Sequence, residues 1–138
     1  MSNASVARAR QVVGVRFRAQ GRRADDGLDC LGVVSHAFGL AESAGRANYR
    51  LSGEHEVELR AALVGFFDEI RASEVRAGDA ILCRVAARQL HLAVCCGSSF
   101  VHADAAIGRV VETPWPPRWP IISAYRWRAG GGHVTWQP

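Results

Sequence analysis

The chain contains no lysine, and all 17 of its basic residues are arginine. We read that absence as the codon bias of a GC-rich genome. The sequence also lacks any apolar run of the roughly 20 residues that a membrane-spanning helix needs, which excludes insertion into a bilayer. It has no internal repeat, which excludes a solenoid, and no linker that would divide it. With 138 residues, 49% of them apolar and 22% charged, it has the make-up of one soluble globular domain with one core.

The formal charge is +4, and six arginines fall between Arg8 and Arg23 before the first acid, Asp25. A stripe of this kind can mark a polyanion-binding surface. Neither aromatic interleaving nor a recognition motif accompanies it, so no nucleic-acid partner is expected. Residues 1–4 resemble a vector remnant. No charged-then-apolar signal peptide follows, so the expectation is synthesis in the bacterial cytoplasm and delivery to any outside target by other means.

Four cysteines occur, Cys30, Cys83, Cys95 and Cys96. Cys95 and Cys96 are adjacent, which strains a disulfide between them, and all four are expected to be reduced. Zinc is the rival reading for His91, Cys95, Cys96 and His102. Neighbouring strand residues point to opposite faces, so both cysteines cannot hold one ion without a bulge. Neither a metal nor a cofactor is expected.

Residues 5–13 have helical composition, and Gly14 breaks them toward extended chain at residues 15–17, with a loop at 20–27. Asp29-Cys30 opens an apolar run, 31–40, read as a helix with its N-terminus at the Asp-Cys step. A surface loop at 41–52 leads to helical spacing over 54–70, where Val57, Leu63, Phe66, Phe67 and Ile70 share a face. The period then changes. Runs at 80–85, 90–96 and 100–103 read as three antiparallel strands, and 110–111 and 121–127 add two more across a proline-rich loop, 114–120. Trp115, Trp119 and Trp127 near that loop are expected to pack the core and the loop. One domain over 5–128 follows, with a flexible tail at 129–138. Helices early and strands late predict an α+β fold, helices packed on one antiparallel sheet.

A helix N-terminus and a nearby imidazolium lower a thiol pKa. Cys30 alone among the cysteines sits at a helix start, so an activated thiol is expected there and inert, buried thiols at the other three. His36, His55 and His133 show no partner pattern. Strand parity places His91, Ala93 and Cys95 on one face of the 90–96 strand. With a two-residue turn at Gly97-Ser98, Cys96 pairs with Ser99 and His102 falls on the face of His91, diagonal to it. Such neighbours lie about 7–8 Å apart, near enough for two imidazoles to meet. A three-residue turn would put His102 on the other face. Cys30, His91 and His102 can therefore supply a nucleophile, a base and a group that orients the base.

The run Asp29-Cys30-Leu31-Gly32-Val33, Gly78-Asp79 before a strand, His91-Leu92-Ala93-Val94 and Phe100-Val101-His102-Ala103 together resemble the NlpC family of papain-like cell-wall peptidases. The resemblance implies a cysteine peptidase that cleaves peptidoglycan stem peptides. It makes Cys30 the nucleophile, His91 the general base and His102 the orienting residue. Asp29 would contact the stem-peptide amine, and the Cys30 backbone N–H would hold the oxyanion. The chain departs from the family pattern at Phe17, a substrate-side position where a tyrosine is usual, and at Leu31, where serine is usual. The short form resembles versions carried by phages and gene-transfer particles, which implies phage tail proteins as partners. The rival expectations are a tail component with a vestigial site, and acyl transfer or deamidation on the same three residues.

Overall fold

The computed structural model describes residues 4–40 and 56–128. Its elements run α1 (Ala4–Gln11), β1 (Arg22–Arg23), β2 (Gly27–Leu28), α2 (Cys30–Phe38), α3 (Glu56–Val64) and β3 (Phe67–Ile70). Then follow β4 (Ala80–Ala86), β5 (Gln89–Cys95), β6 (Ser99–Asp104), β7 (Arg109–Pro114) and β8 (Ile121–Trp127). The expected loop at 41–52 and tail at 129–138 lie outside the described residues, as do His55 and His133.

Six strands form one antiparallel sheet in the order β3-β8-β4-β5-β6-β7. α1 and α2 pack on one face, where Val6, Ala9, Val33 and Ala37 meet Leu82, Leu90, Leu92, Val94, Val101 and Tyr125 in one buried cluster. The alternate residues Ile81, Cys83, Ala93, Phe100 and Ala124 form a smaller cluster, flanked by Trp115 and Trp119. This separation is the period-2 alternation of the strands made physical. No described helix is long and apolar enough to cross a membrane.

The helix expected over 54–70 is a correction. Helical backbone stops at Val64, and Phe67–Ile70 is an edge strand paired with β8, Phe67 opposite Trp127 and Ile70 opposite Ala124. Val57, assigned to the buried face, is 80% exposed. Gly65 interrupts the helix, and Phe67 gains more by entering the aromatic cluster of Phe38, Tyr125 and Trp127 than by continuing it. Helical spacing of apolar residues is blind to that competition. At the other end, α1 starts at Ala4, inside the segment read as a vector remnant.

Five of the six N-terminal arginines, all but Arg8, are tied up in ion pairs rather than forming a free basic stripe. Arg10 pairs with Glu112, Arg16 and Arg18 with Asp26, Arg22 with Asp29 and Arg23 with Asp25. The loop at 20–27 contains the β1–β2 hairpin, and this hairpin is the seat on which α2 begins.

Candidate active site

α2 begins at Cys30 because Asp29 caps it. The Asp29 backbone is extended (φ −101°, ψ −172°), and Oδ1 accepts the Gly32 N–H at 2.9 Å. The same oxygen accepts Arg22 Nη1 at 2.7 Å, and Oδ2 accepts the Gln20 N–H at 2.9 Å. The carboxylate thus ties the helix start to the hairpin, with three of its roughly four acceptor sites used. At the far end Gly39 takes the left-handed conformation (φ 70°) and closes the last turn onto His36.

Opposite this helix start the sheet comes apart. The turn at Gly97-Ser98 sets the predicted register: Cys96 N–H donates to Ser99 O at 2.8 Å, and Val94 pairs with Val101. Beyond that pair β5 follows β4 out to Gln89, while β6 follows β7 out to Asp104. The next hydrogen-bonding position, Leu92 facing Ala103, is open. Cys30 occupies the gap: the Leu92 backbone hydrogen-bonds to its sulfur. The split opens into a cleft of about 720 Å³ lined by Cys30, His91, His102, Asp29, Phe17 and Trp119, among others.

His91 and His102 stand on the sheet face away from α2, with His91 Nε2 2.8 Å from His102 Nδ1 and the rings perpendicular. His102 Nε2 lies 3.3 Å from Thr113 Oγ1. Trp119 meets both imidazoles edge to face at 5.4 Å, and Phe100 stacks on His102 at 4.9 Å. The pair is therefore packed on several sides, which holds the rings at the cleft wall.

This architecture matches solved structures along nearly its whole length. NlpC1 from Trichomonas vaginalis superposes with a TM-score of 0.66 at 16% identity, covering 91% of this chain and 43% of its own. The NlpC/p60 domain of the peptidoglycan hydrolase SagA gives 0.60 at 21% identity, with 91% and 98% covered. The peptidoglycan hydrolase RipB from Mycobacterium tuberculosis gives 0.56 at 21% identity, with 89% and 62% covered. The chain has the NlpC/P60 fold. It spans less than half the length of the Trichomonas NlpC chains. The sequence matches no protein-family model and no curated protein.

Within this NlpC/P60 fold the electrostatics differ from the expectation of an activated thiol. Burial pushes the Cys30 thiol up to about 12, and the Asp29 charge adds to it; hydrogen bonds from the Leu92 and Leu31 backbone and the charge of Arg22 pull the other way and lose. Helix position predicts the favourable contributions, but Cys30 is only 3% exposed, and desolvation of a thiolate outweighs them. Burial likewise lowers His91 to about 4, with His102 adding to the fall. Both shifts favour a neutral thiol and a neutral imidazole at rest. Burial raises the thiols of Cys83, Cys95 and Cys96 as well, in line with their expected inertness.

The histidines link stability to pH. Burial lowers His91, His102 and His36 below 6.5, so the unfolded chain takes up protons that the folded one refuses. The stability these neutral histidines contribute is complete above 6.5 and is lost as the pH falls toward about 4, where His91 protonates in the folded state. The urea midpoint should drop across that window, and less steeply in His91→Gln. A midpoint that does not move between those limits would contradict the burial of neutral histidine.

The fold brings all five predicted site residues, Cys30, His91, His102, Asp29 and Phe17, to one cleft. Leu31 is buried in the helix-side cluster, so the atypical residue after Cys30 serves packing. Trp119, for which packing was the main expectation and a groove lining the rival one, does both: it lines the cleft against both imidazoles. No periodic pattern covers an irregular proline-rich loop, so the sequence did not say which of the tryptophans reaches the site. Thr113 and Asp104 were readable. Each is two residues along a strand from a residue already on the right face, Val111 opposite His102 in one case and His102 itself in the other.

Proposed function

We propose that this protein is a cysteine hydrolase of amide bonds in peptidoglycan stem peptides. The observation that carries the reading is the meeting of Cys30, at a capped helix start, with the hydrogen-bonded His91–His102 pair in one cleft. His91 spends Nε2 on His102, which leaves Nδ1 for the thiol. The tautomer that makes His91 a base has Nε2–H donating to His102 Nδ1, and His102 Nε2–H donating in turn to Thr113 Oγ1.

In this reading His91 Nδ1 takes the Cys30 proton as the sulfur attacks the substrate carbonyl carbon. The oxyanion gains the Cys30 backbone N–H, one of the donors that a helix start leaves without an intrahelical acceptor. The C–N bond then breaks, His91 returns its proton to the leaving amine, and water hydrolyses the thioester. Because the thiol and imidazole rest neutral, proton transfer accompanies attack. Asp29 keeps about one acceptor site for a substrate ammonium, and Phe17 offers that group an apolar wall without a hydroxyl. SagA and RipB, both described as peptidoglycan hydrolases, supply the substrate class.

Purified sacculi incubated with the protein should release muropeptide fragments visible by mass spectrometry; intact sacculi, or a modified but uncut peptide, would reject hydrolysis. His102→Ala should lower kcat/KM by about 10²-fold with KM little changed, since it frees the base to rotate without removing it. His102→Asn, which can still accept from His91, should recover part of the loss. Equal activity in all three forms would remove His102 from the reading.

A further inference from the structure

Asp104 ends β6 on the face that carries Phe100 and His102, and it lines the same cleft as His91. Had the β5–β6 ladder continued in its established register, Asp104 would lie directly across from His91. Its Oδ1 accepts the Ile107 N–H at 2.9 Å, which fixes the carboxylate at the mouth of the split. Its strand partner Arg109 directs Nη1 to the Gly14 carbonyl at 2.9 Å, and Asp104 makes no ion pair among the described residues. A half-buried carboxylate without a counter-charge costs stability, and it invites a functional account.

The other groups around His91 carry no charge that could serve its protonated form. Cys83 is its register partner on β4 and is held as a neutral thiol by burial. His102 is a neutral imidazole, Thr113 and Trp119 are uncharged, and Cys30 rests as a thiol. The Asp29 carboxylate belongs to the nucleophile's side of the cleft, where Arg22 holds it at 2.7 Å. Asp104 is the anion on the base's side, and its charge favours the protonated form of both histidines.

We propose that Asp104 is a positioning residue of this site, whose carboxylate stabilises the His91 imidazolium formed when the Cys30 proton is transferred. The proposal rests on His91 acting as base toward Cys30. The proton moves from sulfur to His91 Nδ1, and no bond changes at Asp104. Asp29 and Asp104 then act in opposite senses on one step. The charge of Asp29 disfavours the thiolate and is offset by Arg22, while the charge of Asp104 favours its imidazolium partner.

The test needs no peptidoglycan. In the whole chain, histidine Cε1–H titrations by NMR are compared for wild type, Asp104→Asn and Asp104→Glu, together with the rate of Cys30 alkylation by iodoacetamide. Asp104→Asn keeps an oxygen for the Ile107 N–H and loses only the charge. It should move the His91 and His102 midpoints down by about one pH unit, and Cys30 alkylation should slow by about tenfold. Asp104→Glu should restore both. If Asp104→Asn unfolds, Asp104→Ser, which also keeps an acceptor, takes its place with the same expected shift. Histidine midpoints and alkylation rates unchanged in a folded, uncharged variant overturn the proposal. A shift in both with no cleavage of sacculi by any form would uphold the role of Asp104 and reject only the substrate.

Discussion

Cys30→Ala removes the release of muropeptide fragments, with a fall in kcat/KM of about 10⁴-fold or more, because no other group in the cleft can form the acyl intermediate. Cys83, Cys95 and Cys96 are buried and free, and none lines the cleft with His91. The fold survives the change. Losing one buried sulfur beside Leu92 costs about 1 kcal/mol, so circular dichroism and the melting transition should stay close to those of the wild type. Cys30→Ser keeps the shape and should lose nearly as much activity, since an alcohol is a far poorer nucleophile under the same base. Retention of more than a small fraction of activity in either variant would rule out Cys30 as the nucleophile.

The neutral resting pair gives this experiment a second readout. With the thiol pushed up to about 12 and His91 down to about 4, the rate should rise as pH climbs through His91 and then stay level through neutrality. A thiolate–imidazolium pair behaves differently, losing activity when its imidazolium gives up a proton at mildly alkaline pH. Alkylation of Cys30 distinguishes the two without substrate. A neutral thiol reacts slowly at neutral pH and faster as alkali is added, whereas an ion pair reacts fast from mild acid upward.

Gly32→Ala destabilises the protein by about 3 kcal/mol, the upper range for a small group forced into a packed site. A Cβ at Gly32 would fall well inside contact distance of the Gly21 carbonyl oxygen and 3.0 Å from Leu28 Cδ2. The neighbour is backbone and cannot swing aside, so α2 must withdraw from the hairpin. Gly21→Ala meets the Gly27 carbonyl just as closely and should cost as much. Because Cys30 lies on the same turn, any surviving Gly32→Ala protein should also lose activity through a displaced sulfur. Urea denaturation measures the first effect and a cleavage assay the second; wild-type stability in Gly32→Ala would refute the account of how the helix start is held.

Much of the candidate site was readable from local pattern. Asp29 before an apolar run marks a cap, and that placed Cys30 at a helix start. Alternation along β5 and β6, with a two-residue turn between them, placed His91 and His102 on one face, where they meet at 2.8 Å. Cap chemistry and strand parity depend on residues a few positions apart, so a one-dimensional string carries them. The α+β class followed from the change of period along the chain for the same reason.

Other features depended on partners distant in sequence. Phe67–Ile70 left the helical pattern because β8 offered a strand edge and an aromatic cluster. Trp119 reached the imidazoles through a loop with no period to read. The arginine stripe dissolved into ion pairs, most with acids a few residues along the chain but one, Arg10 with Glu112, with an acid that only folding brings near. The protonation state of Cys30 was decided in the same way. The sequence by itself determined that a thiol would stand at a capped helix start and that two histidines would share a strand face. Only the tertiary structure determined that the thiol would be neutral, because desolvation depends on everything packed around the sulfur. The parting of β5 from β6, which lets Cys30 and His91 share a cleft, was likewise left to the packing of the whole sheet.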